Sequence, residues 1–175
     1  MKTLAWLCMM LAASLRADNV LSGTGVFAHF ADGGAWKSVI TLVNLDEASS
    51  SFTLRFYADD GGLLTVPLVD GTRVNVVSGT LAPRGTRTIE TTGTAADLTW
   101  GWASLDTNAT IGGVLTMRYG VPGQIPIQAQ FPLDTHINAR FALPVDHVNG
   151  AAVGLAIVNR ASAASTPVFI VFRDE

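Results

Sequence analysis

One segment in the first third of the chain alternates strictly between apolar and polar side chains. In residues 52–57 (Phe-Thr-Leu-Arg-Phe-Tyr), the two Phe and the Leu share one face, because successive side chains of a strand point to opposite sides. Residues 59–62 (Asp-Asp-Gly-Gly) follow, and these residue types tolerate the positive φ of a tight turn. The pattern predicts a half-buried strand that forms a hairpin with residues 63–68.

Similar short runs recur along the chain at the spacing of an antiparallel sandwich. These runs are rich in β-branched or aromatic residues, and Gly, Pro, Asp and Asn separate them. They cover residues 26–30, 38–44, 63–68, 73–77, 86–91, 98–105, 111–119 and 125–131. Helical periodicity is nowhere sustained. About nine strands in roughly 110 residues predict an all-β fold, an immunoglobulin-like antiparallel β-sandwich.

The N-terminus has the pattern of a targeting segment. A short positive start precedes an apolar run, residues 3–15, which matches a secretory signal core and is too short to span a bilayer as a helix. We expect a signal-peptide helix over residues 1–19, cleaved within 14–23, with an uncleaved anchor as the alternative. Cleavage would remove Cys8, the one cysteine, so the mature chain would have no thiol for a disulfide, a zinc site or a nucleophile.

Charge narrows the range of partners. The chain carries 11 Lys and Arg against 14 Asp and Glu, a net charge of -3, without a basic cluster. Proteins that bind nucleic acid or anionic membranes need such a cluster. We therefore expect no nucleic-acid partner and no membrane contact after signal cleavage. The protein should be secreted, extracellular or on a cell surface, as the predicted signal peptide implies.

Comparison of the chain with itself reveals a repeat. Residues 38–44 (Ser-Val-Ile-Thr-Leu-Val-Asn) return as 153–159 (Val-Gly-Leu-Ala-Ile-Val-Asn), after a whole-domain period of about 115 residues. The match predicts one complete β-sandwich unit over residues 20–134 and the first strands of a second, partial copy over 135–175. The alternative is one larger sandwich, in which the tail strands add to the edges of the first unit.

A series of motifs resembles a known kind of module. In chain order they are residues 27–36 (Phe-Ala-His-Phe-Ala-Asp-Gly-Gly-Ala-Trp), 41–44 (Thr-Leu-Val-Asn), 81–91 (Leu-Ala-Pro-Arg-Gly-Thr-Arg-Thr-Ile-Glu-Thr), 101–103 (Gly-Trp-Ala) and 111–113 (Ile-Gly-Gly). This order resembles a tandem immunoglobulin-like β-sandwich repeat module of secreted proteins from acidobacteria and related environmental bacteria. In the second copy, residues 143–147 depart from it. The resemblance implies a repeated scaffold and no assigned reaction, catalytic residue or cofactor.

Three tryptophans are candidates for stacking on carbohydrate. Trp100 and Trp102 are two residues apart on a predicted strand and should point to the same face, while Trp36 follows a glycine turn. Indole faces stack on the apolar faces of pyranoses. Composition favours another interpretation, in which Trp102, between Gly101 and Ala103, fills the core and Trp100 is its partly exposed neighbour.

The sequence contains no clear motif for a metal site or for catalysis. His29, His136 and His147 lack acidic partners at metal-ligand spacing, and no Gly-x-Ser-x-Gly motif occurs, so acyl transfer would need a triad formed only in space. Residues 32–34 (Asp-Gly-Gly) and 59–62 could contribute calcium ligands, but turn formation explains both. We therefore predict no catalytic residue, no metal and no cofactor.

These features favour a secreted or cell-surface structural or adhesive module that is not an enzyme. Local rules of strand and turn chemistry are obeyed almost throughout, whereas active sites tend to break them. The expected partners are neighbouring domains of the same chain or cell-surface polysaccharide. The alternatives are a carbohydrate-binding accessory domain of a larger exported enzyme and a hydrolase with a spatial triad.

Overall fold

The computed structural model describes residues 23–123, 125–136, 154–160 and 168–170, and these residues form an all-β structure. The ten strands are β1 (Thr24–Asp32), β2 (Trp36–Asn44), β3 (Ser50–Tyr57), β4 (Val66–Pro67), β5 (Arg73–Val74), β6 (Val76–Leu81), β7 (Thr86–Glu90), β8 (Thr99–Thr107), β9 (Ile111–Tyr119) and β10 (Ile127–Pro132). Among the described residues, no helix has the length and apolar character needed to cross a membrane.

Two four-stranded antiparallel sheets account for eight of the strands. Sheet A has the order β1-β8-β3-β6, sheet B has the order β10-β9-β2-β7, and β4 pairs with β5 separately. The predicted all-β antiparallel architecture is confirmed. Most predicted strands are also found within a few residues of their expected ends.

The core follows from the period-two pattern of the strands. Phe52, Leu54 and Phe56 point inward from β3, as their alternation predicts, and each is almost fully buried. The Phe56 ring meets that of Phe30 from β1 edge to face, with centroids 5.3 Å apart. Burial of a large apolar side chain contributes roughly 1.5–3 kcal/mol. The packing of these inward faces is therefore the main source of stability.

The predicted hairpin between residues 52–57 and 63–68 is wrong beyond its turn. Pairing after the turn stops at a single bridge between Tyr57 and Leu63, and β3 pairs instead with β6 and β8. Two features prevent residues 63–68 from continuing to pair with β3. Val66 is fully buried in the core, and Pro67 has no N–H with which to continue a ladder.

Ser38, near the start of β2, joins the two sheets by buried hydrogen bonds. Its Oγ atom donates to the carbonyl oxygen of Ala31 at 2.8 Å and accepts from the Ala31 amide at 3.1 Å. Its own amide donates to the Thr91 hydroxyl at 2.9 Å. Because Ala31 belongs to sheet A and Ser38 to sheet B, the serine links the sheets at one end of the sandwich.

Asn44, at the other end of β2, is fully buried and connects two loops. Its Nδ2 atom donates to the carbonyl oxygens of Ala48 at 2.7 Å and Ala82 at 3.0 Å. Its Oδ1 atom accepts from the amide of Asp46 at 3.0 Å and from the hydroxyl of Ser50 at 3.1 Å. One side chain thereby fixes the β2–β3 connection against the β6–β7 connection.

Part of the predicted domain organisation falls on residues that the structure does not describe. The predicted signal helix, residues 1–19, lies outside the described residues. In the predicted second copy, residues 154–160 and 168–170 carry no strand assignment, and the rest lies outside the described ranges. Leu155 and Ile157 match the buried Ile40 and Leu42 in sequence but are each 44% exposed. The second copy and the immunoglobulin-like topology stay predictions.

Replacing Asn44 with alanine should destabilise the protein by about 2–4 kcal/mol, because buried backbone groups would lose their hydrogen-bond partner. The free energy of unfolding, measured by urea titration, checks this. Asn108→Ala is the matched control, since Asn108 is exposed and its side chain accepts, among the described residues, a single hydrogen bond, from the Ser51 hydroxyl. Equal stability of the two variants would contradict the proposed role of Asn44.

Gly101, the third residue of β8, allows β3 and β8 to approach closely. A Cβ atom at this position would lie 2.0 Å from the backbone oxygen of Tyr57, a contact that the backbone must shift to relieve. Gly101→Ala should therefore cost about 2 kcal/mol or more. Gly120→Ala, where a Cβ would meet nothing within 4 Å, should change the free energy of unfolding by less than about 0.5 kcal/mol. A Gly101→Ala protein as stable as this control would refute the close approach.

Candidate functional site

The outer face of sheet A carries two of the three candidate tryptophans. In β8, Gly101 and Ala103 point into the core, whereas Trp100 and Trp102 point outward. The prediction that the two tryptophans share a face agrees with this arrangement. The alternative that Trp102 fills the core is wrong, because the register leaves room there only for the small residues on either side of it.

Trp102 packs against Tyr57, its direct neighbour on β3. The two residues are paired in the register of the sheet, and their rings are stacked with centroids 4.3 Å apart and an interplanar angle of 14°. A cross-strand aromatic pair of this kind stabilises the sheet by roughly 0.5–1 kcal/mol. Stacking uses one face of each ring for this internal contact.

Trp100 is more exposed and is held by a carboxylate. Its Nε1 atom donates to Oδ2 of Asp59 at 2.7 Å, and Asp59 lies in the turn that follows β3. The residue is 49% exposed. The hydrogen bond orients the indole, so Trp100 presents an ordered aromatic surface to solvent.

His29 joins the same face through an irregularity in β1. The register of β1 against β8 shifts between Phe27 and Phe30, and this bulge turns His29 toward the outer side. Its ring meets Phe131 of β10 edge-on, with centroids 6.2 Å apart. Burial lowers the pKa of the His29 imidazole, and the nearby Asp59 carboxylate opposes this effect. Burial dominates, so the neutral imidazole is favoured.

These side chains line a cleft of about 1090 Å³. The aromatic cleft, as we call it, is lined on the sheet side by His29, Tyr57, Asp59, Trp100, Trp102 and Phe131. Residues 154–160 line its other side. The lining combines aromatic side chains with charged and polar ones, and a concave surface of this kind is a candidate ligand site.

Trp36 lies elsewhere. It begins β2 in sheet B and packs against Tyr119, with ring centroids 5.0 Å apart and an interplanar angle of 44°. It is partly buried against the core and does not line the aromatic cleft. The structure therefore groups Trp100 and Trp102 with aromatic residues that sequence reasoning did not select. Tyr57 could have been found from the outward positions of its strand, whereas the bulge at His29 has no sequence signal.

The acidic turns have structural partners. Asp32 is buried and accepts from the Gly93 amide at 2.7 Å, and Oδ1 of Asp60 accepts from the Gly62 amide at 2.8 Å. In the described part of the chain, no three His, Cys, Asp or Glu side chains converge to hold a metal ion. Over the same residues, no serine hydrogen-bonds to a histidine, and Ser38 and Ser50 bond to other groups.

Stability should fall as the pH falls through about 6.5, the ordinary pKa of histidine. Folding lowers the pKa of His29, so the unfolded chain binds the proton more readily, and acid favours unfolding. Urea titrations between pH 7.5 and 5.5 measure the slope, which His29→Gln should reduce. Equal slopes in wild type and His29→Gln would contradict the role of burial. Asp70, whose pKa is lowered by hydrogen bonds from Thr72, acts only in a more acidic range.

Comparisons with known proteins add little. No family model matches the chain, and no curated protein matches it. Among solved structures, the chain is similar to Thermotoga maritima 1070, a crystal structure with 9% sequence identity and a TM-score of 0.43. That similarity covers 63% of this chain and 92% of the other. A resemblance this distant carries no conclusion about fold or function.

Proposed function

We propose that this chain is a structural or adhesive β-sandwich module of a secreted or cell-surface bacterial protein, without catalytic activity, and that it binds its surroundings through the aromatic cleft. The observation that carries the proposal is Trp100, half exposed and held by Asp59 beside the Tyr57–Trp102 stack. A half-exposed indole contributes little to the core, so packing of the core does not explain why Trp100 is held in one orientation. Ordered aromatic side chains contribute much of the binding energy of recognition surfaces.

Carbohydrate is the partner that best matches this surface. The faces of an indole are apolar and flat, and so is the face of a pyranose that carries axial C–H groups. The Asp59 carboxylate, at the edge of the Trp100 ring, accepts hydrogen bonds such as those a sugar hydroxyl donates. A carbohydrate-binding accessory domain of a larger exported enzyme is the second candidate, and the same surface supports it.

Export is compatible with the way the sandwich is built. The first strand begins at Thr24, so removal of residues 1–19 would leave all ten strands intact. Cys8 would leave with the signal peptide, and the buried hydrogen bonds of Ser38 and Asn44 link the sheets without a disulfide. These features support a mature, thiol-free module.

The immunoglobulin-like and tandem character is also proposed. The pairings of β2 with β7 and of β3 with β8 match the B–E and C–F pairs of an immunoglobulin sandwich, whereas those of β1 with β8 and of β9 with β2 depart from its order. The repeat keeps asparagine at position 159, which matches Asn44 at the junction of the loops. Asn159 is exposed, whereas Asn44 is buried, so the support for a second unit built like the first, as in the acidobacterial modules that the sequence resembles, comes from the sequence match alone.

A binding role without catalysis is supported by what the polar groups of the cleft already do. Asp59 accepts from the Trp100 indole and lies close enough to affect the His29 pKa. Within the described residues, His29 makes no hydrogen bond to a hydroxyl or carboxylate. A general base needs such a contact with the group that it activates.

Wild-type protein should be retained on insoluble polysaccharides or bacterial cell envelopes, and Trp100→Ala should lower that retention about tenfold. A tenfold loss equals about 1.4 kcal/mol, in the range for losing one stacked aromatic side chain. Ile127→Ala is the control, since Ile127 is an exposed apolar residue of β10 outside the aromatic cleft. Depletion assays measure the bound fraction.

Two results would contradict the proposal. One is equal retention of Trp100→Ala and wild type, which would show that the aromatic cleft does not contribute to binding. The other is release of soluble sugar during long incubation with the wild type, which would show catalysis.

A further inference from the structure

We infer that the aromatic cleft selects uncharged or amino-bearing polysaccharides and discriminates against uronic-acid and sulfated ones. The inference rests on the proposed binding function and names its ligand class. The feature responsible is the position of Asp59, whose carboxylate lies at the edge of the exposed Trp100 ring. A sugar stacked on this indole would bring its ring substituents close to that negative charge.

The charges that line the cleft favour such a selection. Asp59 and Asp60 supply two carboxylates on the sheet side, and Arg160 supplies one positive charge on the other side. Arg55, farther along the outer face, is already paired with Asp106. Among the described lining residues, negative charge therefore exceeds positive charge. His29 adds no compensating charge at neutral pH, because burial lowers its pKa.

The hydrogen-bonding capacity of Asp59 also favours uncharged or amino-bearing sugars over acidic ones. Its Oδ2 atom accepts from the Trp100 indole, and within the described residues its Oδ1 atom makes no hydrogen bond. A carboxylate is an acceptor only, so it matches a sugar hydroxyl or ammonium group and repels a sugar carboxylate or sulfate.

An amino sugar would gain a second interaction. An ammonium group over an indole face is attracted by the negative charge of the ring face. In the aromatic cleft, Trp100 and Asp59 would act on the same cation from the face and the edge of one ring. Binding of a glucosamine polymer is therefore expected to equal or exceed that of a neutral glucan.

Isothermal titration with soluble polysaccharides tests the inference. The neutral probes are hydroxyethyl cellulose, xylan and galactomannan, the amino-bearing probe is chitosan, and the acidic probes are alginate, polygalacturonate and carrageenan. We expect wild-type protein to bind at least one neutral or amino-bearing probe at least tenfold more tightly than every acidic probe. Trp100→Ala should lose this binding.

The Asp59→Asn variant tests the effect of the carboxylate charge separately from the orientation of the Trp100 indole. The amide oxygen can still accept from the Trp100 indole, but the negative charge is gone. Binding of acidic probes should rise at least threefold, while that of neutral probes stays within about twofold. Asp70→Asn is the matched control, because it removes the same charge at an exposed loop outside the cleft and should change neither. Melting temperatures of both variants verify that they are folded.

The outcomes distinguish this inference from the function on which it rests. Binding of an acidic probe as tight as that of the best neutral or amino-bearing probe would overturn the selection and leave polysaccharide binding intact. An Asp59→Asn variant, folded but without gain on acidic probes, would also overturn it. Binding of no probe at all, together with no retention on insoluble polysaccharide, would overturn both proposals.

Discussion

Two buried polar side chains on a single strand hold the two sheets of this sandwich in place. Ser38 binds both backbone groups of Ala31 in the opposite sheet, and Asn44 connects two loops and the start of β3. Apolar packing is not directional and tolerates sliding, whereas a buried hydrogen bond is lost when its partner shifts. Because Cys8 is the one cysteine and no disulfide is available, these bonds set how sheet B lies on sheet A.

The fixed arrangement of the sheets decides which side chains reach the surface. Once β3 lies against β8 with its apolar side chains inward, the same register directs Gly101 and Ala103 to the core and the tryptophans outward. Close approach of the backbones at Gly101 brings Trp102 onto Tyr57. The turn after β3 then places Asp59 at the indole nitrogen of Trp100. The aromatic cleft is thus a product of core packing and turn position together.

Sequence reasoning succeeded where structure depends on neighbours in the chain and failed where it depends on distant ones. The inward side chains of residues 52–57 and the glycine-rich turn after them are local features, and both are found. The expected strand partner, residues 63–68, was wrong because burial of Val66 outweighs continuation of the hairpin. Burial of Trp102 was a reasonable expectation from composition, but the position of a large residue depends on the register of its strand.

The sequence by itself determined that this chain forms short antiparallel strands with one apolar face each, because alternation and turn residues act within a few residues of chain. It also determined a net charge of -3 and the presence of a single cysteine, Cys8. Only the tertiary structure decided which strands pair, which face of β8 looks outward and how the β1 bulge turns His29 toward Phe131. Those outcomes depend on contacts between residues far apart in sequence, whose packing energies no local pattern contains.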